Sequence, residues 1–214
     1  AQKTENTYTF QMPAANVEVK ATFKTVGTST WNNPFTDVNS QAWYYEAVQF
    51  VCERGLMNGV TNTTFDPNSN LTRGMIVQVL YNMEGKPAVS GSAFKDVAET
   101  DWYADAVVWA SQNNIVRGYG DETFGPKDSI TRQQMALVLY QYAKLKGYDV
   151  TATNDLAAFS DGAKTADWAK EAVQWAVAKQ LLSGKGNGVL DPSGTATRAE
   201  VAQIFMNFSE QVAK

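Results

Sequence analysis

Three stretches of the chain carry apolar residues at helical spacing from a tryptophan onward: Trp43, Ala47, Phe50 and Val51; Trp102, Ala106, Trp109 and Ala110; Trp168, Ala172, Trp175 and Ala176. Steps of four, seven and eight put these side chains on one stripe of an α-helix. A second set follows each of the first: Met75, Ile76, Val79, Leu80 and Met83; Met135, Leu139 and Tyr142; Val201, Ile204, Phe205 and Phe208. Every member of the second set opens on a Thr-Arg step, at Thr72-Arg73, Thr131-Arg132 and Thr197-Arg198. A threonine there can accept a hydrogen bond from a backbone N–H of the first helical turn. Thr197 with Glu200 and Thr131 with Gln134 make complete capping boxes, whereas Thr72 has Met75 in the reciprocal position. The first of these helices is therefore expected to fray more than the others. The turn-rich Gly118-Tyr119-Gly120-Asp121 segment shows what joins the two helices of a unit.

The pattern is a threefold repeat. One offset separates Trp43 from Trp102, Gly59 from Gly118, Pro67 from Pro126 and Arg73 from Arg132. A second, longer offset carries each of these to Trp168, Gly184, Pro192 and Arg198, with one residue inserted between Asp161 and Trp168. Phe35 and Asp37, Phe94 and Asp96, and Phe159 and Asp161 open the units. A two-helix unit cannot bury its apolar stripe alone, so three should pack together with pseudo-threefold symmetry. The expected fold is mainly α, with helix–loop–helix repeats at residues 35–90, 91–150 and 155–214. Polar linkers join them at Glu84 to Ser92 and Gly147 to Ala158.

Residues 1–30 follow a different rhythm. Tyr8, Phe10 and Met12, then Val17, Val19, Ala21 and Phe23, alternate with polar residues around Pro13 to Asn16, which predicts a β-hairpin. A lone hairpin is marginal in water, so this one is expected to be the remnant of an upstream β-domain.

Composition narrows the chemistry. The 214 residues contain no histidine and a single cysteine, Cys52. The usual general base, the commonest metal ligand and any internal disulfide are thereby removed. Cys52, among Val48, Phe50 and Val51, is expected to be buried and structural. A net charge of -4 argues against a nucleic-acid partner. No apolar run approaches the roughly 18 residues of a membrane span, and the first residues lack the character of a secretion signal. Asp66-Pro67-Asn68-Ser69-Asn70 and Asp121-Glu122 lack the spacing of an EF-hand loop. No cofactor is implied.

Phe94-Lys-Asp96-Val97, Asp101-Trp102-Tyr103-Ala104, Gly118-Tyr-Gly-Asp-Glu-Thr-Phe124-Gly-Pro126 and Ile130-Thr131-Arg132 carry a resemblance to S-layer homology modules. Asp167-Trp168, Ser183-Gly184 and Thr197-Arg198-Ala199-Glu200 carry it in the third unit. It covers residues 35 to 212, and the hairpin is more distantly similar to the last strands of β-repeat modules in bacterial surface proteins. The resemblance implies a pseudo-trimer around a central helical bundle, with grooves between units. It implies that those grooves bind a secondary cell-wall polysaccharide, typically through a pyruvylated amino sugar, and that the protein is secreted and held at the bacterial cell wall or S-layer with its cargo domain upstream. It also implies that the arginine, the tryptophan, the early acid and small residues around the glycine, Ser183 among them, line each groove. Departures include Ala42 for Asp101 and Asp167, Gly125 for Asp66 and Asp191, Gly162 for valine and Ala169 for tyrosine. Unequal grooves are expected.

The residues admit bland readings beside the functional ones. Arg73, Arg132 and Arg198 use three of five arginines at one phase of the repeat. A guanidinium can grip a carboxylate with two parallel bonds, on the order of 1.5–3 kcal/mol for a charge-assisted contact. The helix start beside it would add free N–H groups. Alternatively each arginine pairs with an acid of its own unit. Trp43, Trp102 and Trp168 could stack on a sugar, or pack in the core one heptad before Phe50, Trp109 and Trp175, which are expected inside. Asp37, Asp96 and Asp161 could accept sugar hydroxyls or cap the turn that follows. Gly59, Gly118 and Gly184 serve backbone geometry and closeness to a ligand. A non-catalytic wall anchor leads, with a protein–protein scaffold of a surface layer as the alternative. A hydrolase built on paired carboxylates is disfavoured because no nucleophile motif accompanies them.

Overall fold

Among the described residues, six α-helices form where the Thr-Arg steps and tryptophan stretches place them. The computed structural model describes residues 2–4, 7–9 and 31–213. The helices are α1 (Tyr45–Glu53), α2 (Arg73–Met83), α3 (Ala104–Gln112), α4 (Arg132–Leu145), α5 (Lys170–Ala178) and α6 (Arg198–Gln211). Short 3-10 turns at Leu156–Ala158, Gly162–Lys164 and Asp167–Ala169 precede α5, and the last two flank the extra residue of the third unit.

The chain divides into Ala1–Asn32 and Asn33–Lys214. In the first, β1 (Gln2–Thr4) pairs antiparallel with β2 (Thr7–Thr9), Lys3 opposite Tyr8. The hairpin expected around Pro13 to Asn16 lies outside the described residues apart from its first residues. Tyr8 and Thr9, at its start, pair with Lys3 and Gln2.

In the second unit the threonines cap as their sequence context demands. Thr131 and Thr197 form complete capping boxes, and Thr72 accepts from Met75 N–H at 3.3 Å. Helix packing then departs from the repeat boundaries. The second helix of each repeat lies against the first helix of the next: α2 on α3, α4 on α5, and α6 back on α1. The ring is closed. Aromatic pairs fill two of these interfaces, Tyr81 with Trp109 at 5.8 Å and Tyr140 with Trp175 at 5.4 Å between ring centres. In the third, Met206 and Phe50 hold the equivalent places and both are half-buried. Phe50 thus falls short of the expected core position, and the Arg54 guanidinium lies 3.8 Å over its ring. Trp109 and Trp175 are buried as expected. Cys52 is half-buried, with its thiol pushed up to about 11 by burial, which the nearby Arg198 only partly offsets.

At the centre, Leu71, Ile130 and Ala196 hold equivalent repeat positions and are fully buried. Antiparallel bridges join each pair of repeats there: Thr72 with Ser129, Thr131 with Thr195, and Asn70 with Thr197. Leu71 N–H donates to the Ala196 carbonyl and Ile130 N–H to the Leu71 carbonyl, both at 2.9 Å. These bonds satisfy both backbone groups of Leu71 beneath the apolar stripes that close over them.

Candidate functional site

Each Thr-Arg arginine reaches out of its own repeat into the next. Arg73 Nε donates to the Phe124 carbonyl at 2.8 Å and Nη2 to the Arg117 carbonyl at 3.1 Å. Arg132 makes the same two bonds to the carbonyls of Leu190 and Ser183, and Arg198 to those of Phe65 (2.8 Å) and Asn58 (2.7 Å). The guanidiniums of Arg73 and Arg198 also lie 4.6 Å over the rings of Phe124 and Phe65. Exposure is 8, 4 and 5% for Arg73, Arg132 and Arg198. Among the described residues, none of the three pairs with an acid of its own repeat. Burial pulls each guanidinium's proton affinity down, while groups of the neighbouring repeat hold it up: Tyr119, Asp128 and Asp96 for Arg73, Glu200, Asp191 and Asp161 for Arg132, Asp66, Cys52 and Asp37 for Arg198. All three stay charged, since guanidinium does not deprotonate in proteins.

The helix starts beside them are not free donors either. Arg73 and Gly74 N–H donate to the carbonyls of Asp128 and Pro126, Arg132 and Gln133 to Gly194 and Pro192, Arg198 and Ala199 to Ser69 and Pro67. With the threonine hydroxyl taking the next N–H, the first turn is fully occupied by the protein. Its positive end serves cohesion between repeats and offers no N–H to an anion.

Asp37 accepts from the N–H groups of Phe65 and Asp66 at 2.9 and 2.7 Å, one per carboxylate oxygen. Asp96 does the same with Phe124 and Gly125, and Asp161 with Leu190 and Asp191. These acids therefore do not cap the turn that follows them. Each clips the opening of its repeat to the loop that supplies carbonyls to an arginine. The Leu190 N–H, together with that of Asp191, holds the Asp161 carboxyl below the usual range. The glycines answer to closeness. A Cβ on Gly59 would stand 2.5 Å from the Phe35 ring and 2.4 Å from the Thr61 carbonyl, and one on Gly118 2.4 Å from both Phe94 and the Thr123 carbonyl. Gly184 is held likewise against Phe159 and Val189. Gly125 has a separate reason: its φ of 68°, like those of Asp66 and Asp191, is left-handed, and Tyr119 and Asp128 fill the space a side chain there would need.

Two grooves follow from this ring. One, of about 520 Å³, is lined by Met57, Gly59, Met75 and Val79 of the first repeat, Trp102 of the second and Arg198 of the third. The other, of about 500 Å³, is lined by Arg117, Gly118, Gln134 and Val138 of the second repeat, Trp168 of the third and Arg73 of the first. We call them grooves 1 and 2. Every groove so built borrows from all three repeats. Trp43, Trp102 and Trp168 are 63, 62 and 55% exposed, so the core alternative for them falls. Helix α1 begins only at Tyr45, and heptad spacing from a residue outside the helix carries no information about its face.

Around the third repeat the same cyclic order sets Arg132 against Ser183, and Lys185 and Glu200 stand in an ion pair. The equivalent positions hold Val60 and Met75 in the first repeat and Tyr119 and Gln134 in the second. Side-chain amides offer partners for hydroxyls on two walls, with Gln78 donating to Asn82 and Gln203 to Asn207. The second repeat has Leu137 at the first of these places and gains Arg117, which is exposed and occupies the phase of Asn58 and Ser183. Sequence reasoning placed Ser183 in a groove and missed Arg117 and Asn58, although all three precede the repeat glycine. The described residues hold no group of three or more Cys, Asp or Glu side chains able to hold a metal.

An indole, a guanidinium edge and polar amides thus line an open trough, an apolar face with a few placed polar groups. The S-layer homology domain family matches residues 34–74, 93–136 and 158–202. The chain belongs to the S-layer homology family. It is 32% identical over 186 residues to an amylopullulanase of Thermoanaerobacterium thermosulfurigenes, covering 85% of this chain and 10% of that protein. Identity is 28% over 206 residues to a surface-layer 125 kDa protein of Lysinibacillus sphaericus, 95% of this chain and 17% of the other. It is 27% over 154 residues to a cellulosome-anchoring protein of Acetivibrio thermocellus, 70% and 34%. The chain thus spans a tenth to a third of the length of these relatives. S-layer homology domains are non-catalytic anchors that bind cell-wall polymers, and this one belongs to a cell-surface, cell-wall-associated protein. No helix among the described residues is long and apolar enough to cross a membrane.

Proposed function

We propose that this S-layer homology chain anchors a longer surface protein, with its cargo upstream, by holding an anionic and pyruvylated wall polysaccharide in the grooves between repeats. The observation that carries the reading is the exposure of Trp102 and Trp168 at grooves whose other ends hold Arg198 and Arg73. An indole face can stack on a pyranose ring, and the remaining edge of the guanidinium supports a carboxylate beside it. Among the described residues, Nε and Nη2 of each arginine have protein acceptors and Nη1 has none. Several sites on one chain of polymer add avidity through effective concentration.

Replacing the arginines is the wrong test, because they hold the repeats together. The exposed indoles are the right one. Trp43→Ala, Trp102→Ala and Trp168→Ala combined should abolish co-sedimentation with purified wall polymer while circular dichroism and the thermal midpoint stay unchanged. Undiminished co-sedimentation sinks the reading, and oligomers that form without polymer would favour a self-assembly module in its place.

A further inference from the structure

Resting on that reading, we infer that the grooves are chemically distinct and that groove 2 is the principal site for a carboxylate-bearing hexose, with Arg117 selecting the acid. Arg117 lines groove 2, is exposed, and has no hydrogen-bond or ion-pair partner for its guanidinium among the described residues. Its carbonyl accepts from Arg73 Nη2 at 3.1 Å, so two guanidinium-bearing residues meet at this groove. The bare backbone of Gly118 follows at once, at a place where no Cβ fits. Nearby acids are already engaged: Asp96 by the N–H groups of Phe124 and Gly125, and Asp128 by the Tyr119 hydroxyl at 2.9 Å. An anion entering groove 2 therefore meets a free planar fork capable of two parallel bonds, in the absence of a competing internal carboxylate.

The other repeats lack this combination. Asn58 takes the place of Arg117 in groove 1, whose exposed cation, Lys86, lies beyond the C-terminus of α2 and presents a single ammonium. In the third repeat Ser183 takes that place, and Lys185 is already paired with Glu200. Glu200 is in turn fixed by the Thr197 N–H at 3.0 Å, so it stays beside any incoming carboxylate. Neutral sugars with several hydroxyls suit the amide pairs beside α2 and α6, and acidic sugars suit groove 2.

The test titrates the whole chain with three probes: the methyl glycoside of a pyruvate-ketal N-acetylhexosamine, a methyl hexuronide, and the neutral N-acetylhexosaminide. Binding is read by calorimetry and by the indole N–H signals of the tryptophans. Wild type should bind an acidic probe most tightly, with Trp168 responding first. Arg117→Asn should weaken that binding roughly ten- to a hundredfold, the loss of one charge-assisted contact, and leave the neutral probe and the thermal midpoint unchanged. Asn58→Arg should add an acidic-probe site reported by Trp102. A preference for the ketal over the hexuronide identifies the acid as pyruvate, and the reverse as a uronate. Unchanged affinity in Arg117→Asn, or a first response at Trp102 or Trp43 in wild type, overturns the inference while leaving anchoring intact. Failure of wild type to bind wall polymer overturns both.

Discussion

The floors and the rims of the grooves obey different rules. On the floor, the three repeats are superimposable in chemistry: an arginine bonded to two carbonyls of the next repeat, an aspartate bonded to two N–H groups, and a glycine against a phenylalanine. On the rim, Val60, Tyr119 and Lys185 share one position, Met75, Gln134 and Glu200 another, and Asn58, Arg117 and Ser183 a third. A buried guanidinium with its partners in place tolerates no substitute, because removing it leaves acceptors desolvated and unpaired. An exposed rim residue carries no such penalty. Cohesion sets the floor, and discrimination between ligands is left to the rim.

Arg198→Ala should break this comparison most severely. It deprives the Phe65 and Asn58 carbonyls of their donors at the junction that closes the ring, and a loss of about 2–5 kcal/mol is expected. Urea denaturation should show a lowered midpoint, and Arg198→Lys should not restore it, since an ammonium cannot span both carbonyls. A rim substitution of similar size, Trp102→Ala, should leave that midpoint nearly unmoved.

Acid should act next, on the floor at Asp161 and in the linker before the third repeat at Asp149. The carboxyls of Asp161 and Asp149 titrate below their unfolded values in the folded chain. Asp161 is lowered by the N–H groups of Leu190 and Asp191. Asp149 is brought to about 2 by the Thr151 hydroxyl and N–H and by Lys179. Their stabilisation is present above the unfolded carboxyl range near pH 4 and is lost as pH falls through the folded values. The thermal midpoint should therefore decline below about pH 4, and Asp161→Asn should flatten part of that decline.

Lys185→Ala should have the smallest effect on stability, within about 1 kcal/mol for an ion pair that is still partly exposed at the surface. Glu200 keeps its capping bond to Thr197, so helix α6 should retain its start. A larger drop in the thermal midpoint would mean that the rim of the third repeat shares the floor's structural duty.

The helices and the threonine caps were legible in the sequence because each depends on residues a few turns apart at most, and the repeat because its landmarks, Trp43, Trp102 and Trp168 among them, keep a constant offset. What was illegible was nonlocal. Helical periodicity is the same whether α2 packs on α1 or on α3, so nothing in it announces that each repeat completes its neighbour. The acceptors of Arg73, Arg132 and Arg198 lie in another repeat, and those of Arg198 are separated from it by most of the chain. The same limit turned Asp37 from an expected turn cap into a clip on Phe65 and Asp66. Trp43 was ambiguous for a local reason: the helix boundary falls between it and the residues with which it keeps phase.

The docking of α6 onto α1 has a temporal consequence. A chain emerging in sequence order can pair α2 with α3 and α4 with α5 early, yet α1 must wait for the last helix to be made. Groove 1 stays open on its Arg198 side until then. Closing so long an interval is an entropic hurdle that local pairings do not face. Groove 1 should accordingly be completed as one late event, after the final repeat is in place, whereas groove 2, whose lining runs from Arg73 to Trp168 and includes nothing of α6, can be whole before it.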